Sequence, residues 1–246
     1  MDTMEFHKCD FESEFRSLFN EFNSGDPLLN RNNIVRKMVI EELDAINEEK
    51  IKNKKMVIVQ NLLNTLMQQY TGAVLFSTMY RDNFTKTFSW AIPDMHSIME
   101  IIKFAEGNEI LEVGAGNGFW SILIKTLGGK IISTDLNYVD EFFPPECNFV
   151  PFLEMKIMDA TEAVIKYSTN VLFICRPNYY NNYAFEALNE FKGNKFIYIG
   201  EDEDGCCGTP LFFDLLKEKW NLKSKINIPK WSGFMDKLYF YERKLN

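Results

Sequence analysis

Apolar side chains recur at helical spacing through the first part of the chain and give way, from about residue 98, to short β-rich runs. Three early stretches, FESEFRSLFNEF (11–22), NNIVRKMVIEELDAINEEK (32–50) and MVIVQNLLNTLMQQY (56–70), place apolar residues three and four apart, which predicts helices with one buried face. Gly25-Asp26-Pro27 breaks the first from the second, and the basic KIKNKK at 50–55 reads as a solvated connection. Beyond them the candidate strands are EILEV (109–113), KIISTD (130–135), NVLFIC (170–175), KFIYIG (195–200), SKINI (224–228) and KLYFYER (237–243), with a weaker one near 147–150 or 154–158. Amphipathic stretches of helical length lie between them at 119–127, 160–168, 183–191 and 210–220. Short strands alternating with helices predict a parallel sheet with crossover helices. Only IPKWSGFMD separates the last two strands, so these are expected to pair antiparallel. The chain thus divides into an N-terminal helical segment, 1–89, and an α/β domain, 90–246.

The 246 residues are 46% hydrophobic and 25% charged, and no uninterrupted apolar run approaches the ~20 residues of a membrane-spanning helix. The N-terminus, MDTMEFHKCDFESEF, mixes acids and polar groups where a signal peptide carries basic and then apolar residues, so a cytoplasmic protein is expected. Five cysteines without C-x-x-C spacing and two scattered histidines predict reduced thiols and no metal. A net charge of -8 argues against indiscriminate nucleic-acid binding, while a local basic face stays open.

The candidate chemistry centres on ILEVGAGNGFW. Strand EILEV carries the acid Glu112 and runs into Gly114-Ala115-Gly116-Asn117-Gly118, after which Phe119 and Trp120 open a helix. Glycines there allow a tight turn and close approach of backbone to a ligand. A dinucleotide fingerprint would need its last glycine at Phe119, and no Gly-Lys-Ser/Thr follows for a P-loop. Asp135 ends the next strand, about 20 residues on, where an acid takes ribose hydroxyls. Asp159, at a strand-to-helix junction in MDATEAV, reads either as an acceptor for an adenine amine or as a helix N-cap with Glu162 as capping-box partner, and both roles can coexist.

These features resemble the class I S-adenosylmethionine (SAM)-dependent methyltransferases over about residues 90–244. SWAIP, EVGAGNGFW, LFICRPNYY, YIGEDEDGCCGT and IPKWSGFMDKLYFYER together resemble a narrower methyltransferase group, whose fourth strand ends in a Cys-Trp-Pro-Pro-type stretch; here it is Cys175-Arg176-Pro177-Asn178. The resemblance implies a Rossmann-like sheet of seven strands, mostly parallel with the last antiparallel, and SAM as cofactor. The cofactor would lie on Glu112, Gly114, Ala115, Gly116, Asn117, Gly118, Asp135 and Asp159, with Trp90 closing over its methionine end. The acceptor would face Arg176, Pro177, Asn178 and Tyr179. Glu201, first of the four acids after the fifth strand, is a candidate base, against the reading of that run as a solvated loop. Amino methyltransferases use an Asn/Asp-Pro-Pro-aromatic turn after this strand; this chain lacks the acceptor side chain before its proline, so the atom methylated stays open. The acceptor itself, a small molecule, a protein or a defined RNA, stays open too, beside the alternative of a non-catalytic SAM-fold scaffold.

Overall fold

The computed structural model describes residues 28–48, 52–71, 78–136 and 150–245. The predicted helix over 11–22 lies outside them. Three helices lead: α1 (Leu28–Glu48), α2 (Lys52–Thr71) and α3 (Thr78–Thr87). The basic run at 50–55 is not a free connection, because α2 begins at Lys52 and absorbs most of it. Then come α4 (Met95–Ala105), β1 (Ile110–Val113), α5 (Phe119–Thr126), β2 (Ile131–Asp135), β3 (Lys156–Ile157), α6 (Ala160–Tyr167) and β4 (Val171–Cys175). The chain ends with α7 (Tyr183–Glu190), β5 (Lys195–Gly200), α8 (Pro210–Lys219), β6 (Trp220–Asn227) and β7 (Lys237–Arg243). No described helix is long and apolar enough to cross a membrane.

The seven strands form one sheet in the order β3-β2-β1-β4-β5-β7-β6. The first five pair parallel, and β7 is inserted antiparallel between β5 and β6. This is the Rossmann-like methyltransferase sheet that the resemblance implies. Side chains alternate across each strand, and β1, β4 and β5 are largely apolar on both faces because both faces are covered there. Ile110, Phe173, Ile197 and Phe240 point into one core layer, with α4, α5 and the N-terminal helices. Leu111, Leu172, Phe196 and Tyr239 point into the other, with α6, α7 and α8. The helical segment belongs to the first layer: Val35, Val39, Leu43 and Ile46 of α1, and Val59, Leu62, Leu63 and Leu66 of α2, are buried in it at helical spacing.

After β1 the chain moves outward to β2 and β3, then returns to place β4 on the other side of β1. Strand order reverses there, and in open α/β sheets ligands bind outside the carboxyl ends of the strands at such a point.

Candidate active site

The glycine loop starts where β1 ends. Ala115 N–H donates to Thr134 O at 3.1 Å and Gly118 N–H to Ala115 O at 2.9 Å, which folds the loop back over the end of β2. Gly114 has φ +67°, in the left-handed region, and a Cβ there would stand 2.8 Å from the Tyr183 hydroxyl. Gly116 has φ +58°, and the place of its missing Cβ is open, with no protein atom within 4 Å. Asp135 accepts the Gly116 N–H at 2.8 Å, tying the acid at the end of β2 to the loop. The Asp159 carboxylate caps α6, accepting from the Thr161 and Glu162 amides at 2.8 and 3.3 Å.

These residues line one cavity of about 440 Å³ at the switch point, a size ordinary for a small-molecule or cofactor site. Of the expected cofactor residues, Trp90, Glu112, Gly114, Ala115, Gly116, Asn117, Asp135 and Asp159 line it. Gly118 does not; it turns with φ +78° against Leu153 and opens α5. Phe88, Phe119, Trp120 and Met158 supply apolar wall. Phe119, where a dinucleotide fold would carry its third glycine, is buried with its ring centroid 4.9 Å from those of Phe88 and Phe152.

Glu112 is almost fully buried, at 1% exposure. Burial pushes its carboxyl up to about 8; a hydrogen bond from Ser121 works against that rise, and the Asp135 charge adds to it. Ser133 donates in turn to Ser121. The carboxyl at the cavity wall is therefore largely protonated at neutral pH.

On the other side of the cavity the expected acceptor residues separate. Arg176 and Asn178 line it, whereas Pro177, Tyr179 and Glu201 do not. Arg176 has a left-handed backbone (φ +47°). Its guanidinium pairs with the buried Asp236, donates to Cys206 Sγ at 3.1 Å, and lies 5.6 and 5.1 Å from the Trp90 and Phe234 ring centroids. It is a clamped wall rather than a mobile hand. Asn178 Oδ1 accepts from the Tyr180 and Asn181 amides, both at 3.1 Å, and shapes the turn. Pro177 is buried, with its carbonyl accepting from Gly208 N–H at 2.9 Å, and Tyr179 is exposed. Glu201 is buried as a brace, accepting Cys206 N–H at 2.8 Å and Met235 N–H at 2.7 Å. Burial works to raise its pKa, yet hydrogen bonds from the Cys206 side chain and from the Cys206 and Met235 amides, together with the Arg176 charge, hold it below the usual carboxylate value. It thereby joins the β5–α8 loop to the β6–β7 loop.

The ligand atoms of Glu201, Cys206 and Cys207 lie within 4.8 Å of one another, as a metal site would require. The Arg176 guanidinium already occupies Cys206 Sγ, and both Glu201 oxygens hold backbone amides, so the donor set is committed to the fold. Burial pushes both thiols up, Cys207 to about 12.

Residues missed in the sequence also line the cavity, among them Cys175, Asn181, Tyr183, Thr85 and Ser89. Cys175 is the last residue of β4, so its position on the rim was open to inference. Tyr183 sits at the start of a helix in a run of asparagines and tyrosines that carries no spacing signal.

No protein-family model matches the sequence, and no curated protein matches it. Solved structures with a similar fold include a proposed RNA methyltransferase from Pyrococcus horikoshii, 14% identical over 63% of this chain and 88% of that one, with a TM-score of 0.43. TehB from Haemophilus influenzae is 13% identical, covering 67% of each chain, with a TM-score of 0.43. The 1,6-didemethyltoxoflavin-N1-methyltransferase of Burkholderia thailandensis, with 1,6-didemethyltoxoflavin and S-adenosylhomocysteine bound, is 14% identical over 61% of this chain and 77% of that one, with a TM-score of 0.40. At such identities and TM-scores the likeness carries no functional argument, and the fold assignment stands on the strand order itself.

Proposed function

We propose that this chain is a SAM-dependent methyltransferase, with its cofactor in the switch-point cavity and its acceptor against the edge formed by the end of β4. The observation that carries the reading is the convergence of Glu112, the glycine loop, Asp135 and Asp159 on one cavity at the reversal of strand order.

In this reading the glycine loop and Glu112 hold the methionine end, Asp135 takes the ribose hydroxyls, and Asp159 accepts from the adenine amine while capping α6. SAM supplies a methyl group on a positively charged sulfur, so transfer is an in-line displacement that asks mainly for alignment and dryness. Trp90 and Arg176, fixed against each other, form a rigid border between cofactor and acceptor sides. Phe88, Phe119 and Trp120 exclude water from one wall. Asn178 and Asn181 offer uncharged amides to the acceptor, and Glu201 acts at a distance by holding the loops behind Arg176.

Incubation with methyl-labelled SAM and a cell extract, then separation into RNA, protein and small-molecule fractions, tests this directly. Label in one fraction that disappears with an Asp135→Ala variant supports transfer. Unlabelled fractions throughout, from a folded protein that binds SAM, would establish the scaffold alternative instead.

A further inference from the structure

The Thr87 carbonyl, at the end of α3, links the N-terminal helices to the glycine loop. The last carbonyls of a helix have no partner within it, and α3 ends at Thr87. Arg36, on α1 and fully buried, donates through Nε to Thr87 O at 2.7 Å and through a second nitrogen to Lys86 O. A planar guanidinium suits two consecutive carbonyls, and its charge is favourable at a helix C-terminus. The same Thr87 oxygen accepts from Asn117 Nδ2 at 3.0 Å. Asn117 Oδ1 accepts from Phe119 N–H at 3.1 Å, at the first residue of α5, so both ends of this amide are held. The residues that follow Thr87, namely Phe88, Ser89 and Trp90, form cavity wall together with the glycine loop.

We propose that Arg36, about 80 residues before the glycine loop in sequence, is a positioning residue for that loop. It fixes the Thr87 carbonyl on which Asn117 hangs, and so makes the N-terminal helices a working part of the cofactor site rather than an appendage. Only the binding readout below rests on the SAM reading; the geometric claim stands apart from it.

The test compares the full chain with Arg36→Gln, Arg36→Lys and a control, Val39→Ala, which truncates a buried apolar side chain on the same helix that has no donor for the Thr87 carbonyl. Hydrogen exchange is followed at residues 114–119 in the absence of cofactor, and S-adenosylhomocysteine affinity is measured by titration. Arg36→Gln is expected to speed exchange selectively in that loop and to raise Kd about three- to tenfold, the scale of one or two lost hydrogen bonds. Arg36→Lys, which keeps the charge and one donor group, should fall between Gln and wild type. Val39→Ala should lower global stability and leave loop exchange unchanged. Wild-type protection of residues 114–119 in Arg36→Gln, or an equal loss of protection in Val39→Ala, would overturn the proposal. Should Arg36→Gln fail to fold, Arg36→Lys against Val39→Ala decides it. Should wild type bind no S-adenosylhomocysteine, the cofactor reading fails while the exchange result still judges Arg36.

Discussion

Replacing Glu112 with Gln is expected to abolish a pH dependence that the buried carboxyl imposes on folding. In the folded chain its pKa is raised from 4.5 to about 8, mainly by burial, with Ser121 opposing and Asp135 reinforcing the rise. Between these two values the folded state binds a proton that the unfolded state does not, so stability falls as pH rises through that window and is level beyond it. The slope reaches at most ~1.4 kcal/mol per pH unit, which sets a ceiling of about 5 kcal/mol across the window. Water entering the adjoining cavity raises the effective dielectric and lowers the figure, so about 2–5 kcal/mol is expected. Gln keeps an acceptor for the Ser121 hydroxyl and cannot ionise. Denaturant unfolding of both proteins at pH 5, 6, 7 and 8 should show the stability of Glu112→Gln rising relative to wild type across the series. Curves that stay parallel to within about 0.5 kcal/mol from pH 5 to 8 would refute the assignment of a buried, largely neutral Glu112.

With SAM bound as proposed, its positive charge would favour the ionised form of the same carboxyl, so SAM affinity is expected to rise from pH 6 to about 8, with proton release measurable by calorimetry in buffers of different ionisation enthalpy. A flat profile would detach Glu112 from the ligand. Gly114→Ala places a methyl 2.8 Å from the Tyr183 hydroxyl on a left-handed backbone, and should cost about 1–3 kcal/mol of stability and more than tenfold in cofactor affinity. Asp236→Asn leaves the Arg176 charge buried without its partner, so a loss of about 3–5 kcal/mol is expected in chemical denaturation, largely recovered by adding Arg176→Met. Asp159→Ser retains a good N-cap but withdraws the carboxylate; unchanged thermal stability with weakened SAM binding is expected, and unchanged binding would reduce Asp159 to its capping role.

The central strands β1, β4 and β5 were legible because burial on both faces favours β-rich apolar runs, whereas β6 is largely exposed; six strands fall within a few residues of their expected places. β3, two residues long and exposed, carries too little pattern to be placed closely. α3 escaped notice because its ten residues are largely polar and its end is secured by Arg36, 50 or more positions away. The glycine-loop side of the cavity could be read because glycines and rim acids are spaced along consecutive elements. The arrangement at the end of β4 could not, since it depends on contacts distant in sequence: Arg176 with Asp236, and Glu201 with the Met235 amide. Arg176 and Glu201 looked like chemical groups because both are charged and close to strand ends. The structure places Arg176 in the cavity wall with its donors engaged, and Glu201 behind it.

The central claim is that Gly114–Gly118, Asp135 and Asp159 form a SAM site, and calorimetric titration of SAM and S-adenosylhomocysteine at pH 8 into wild type and Asp135→Ala tests it most directly. One-to-one binding in the micromolar range, weakened at least tenfold in a folded Asp135→Ala, is the result the proposed site predicts. Absence of binding by folded wild type, or equal binding by the variant, would contradict it.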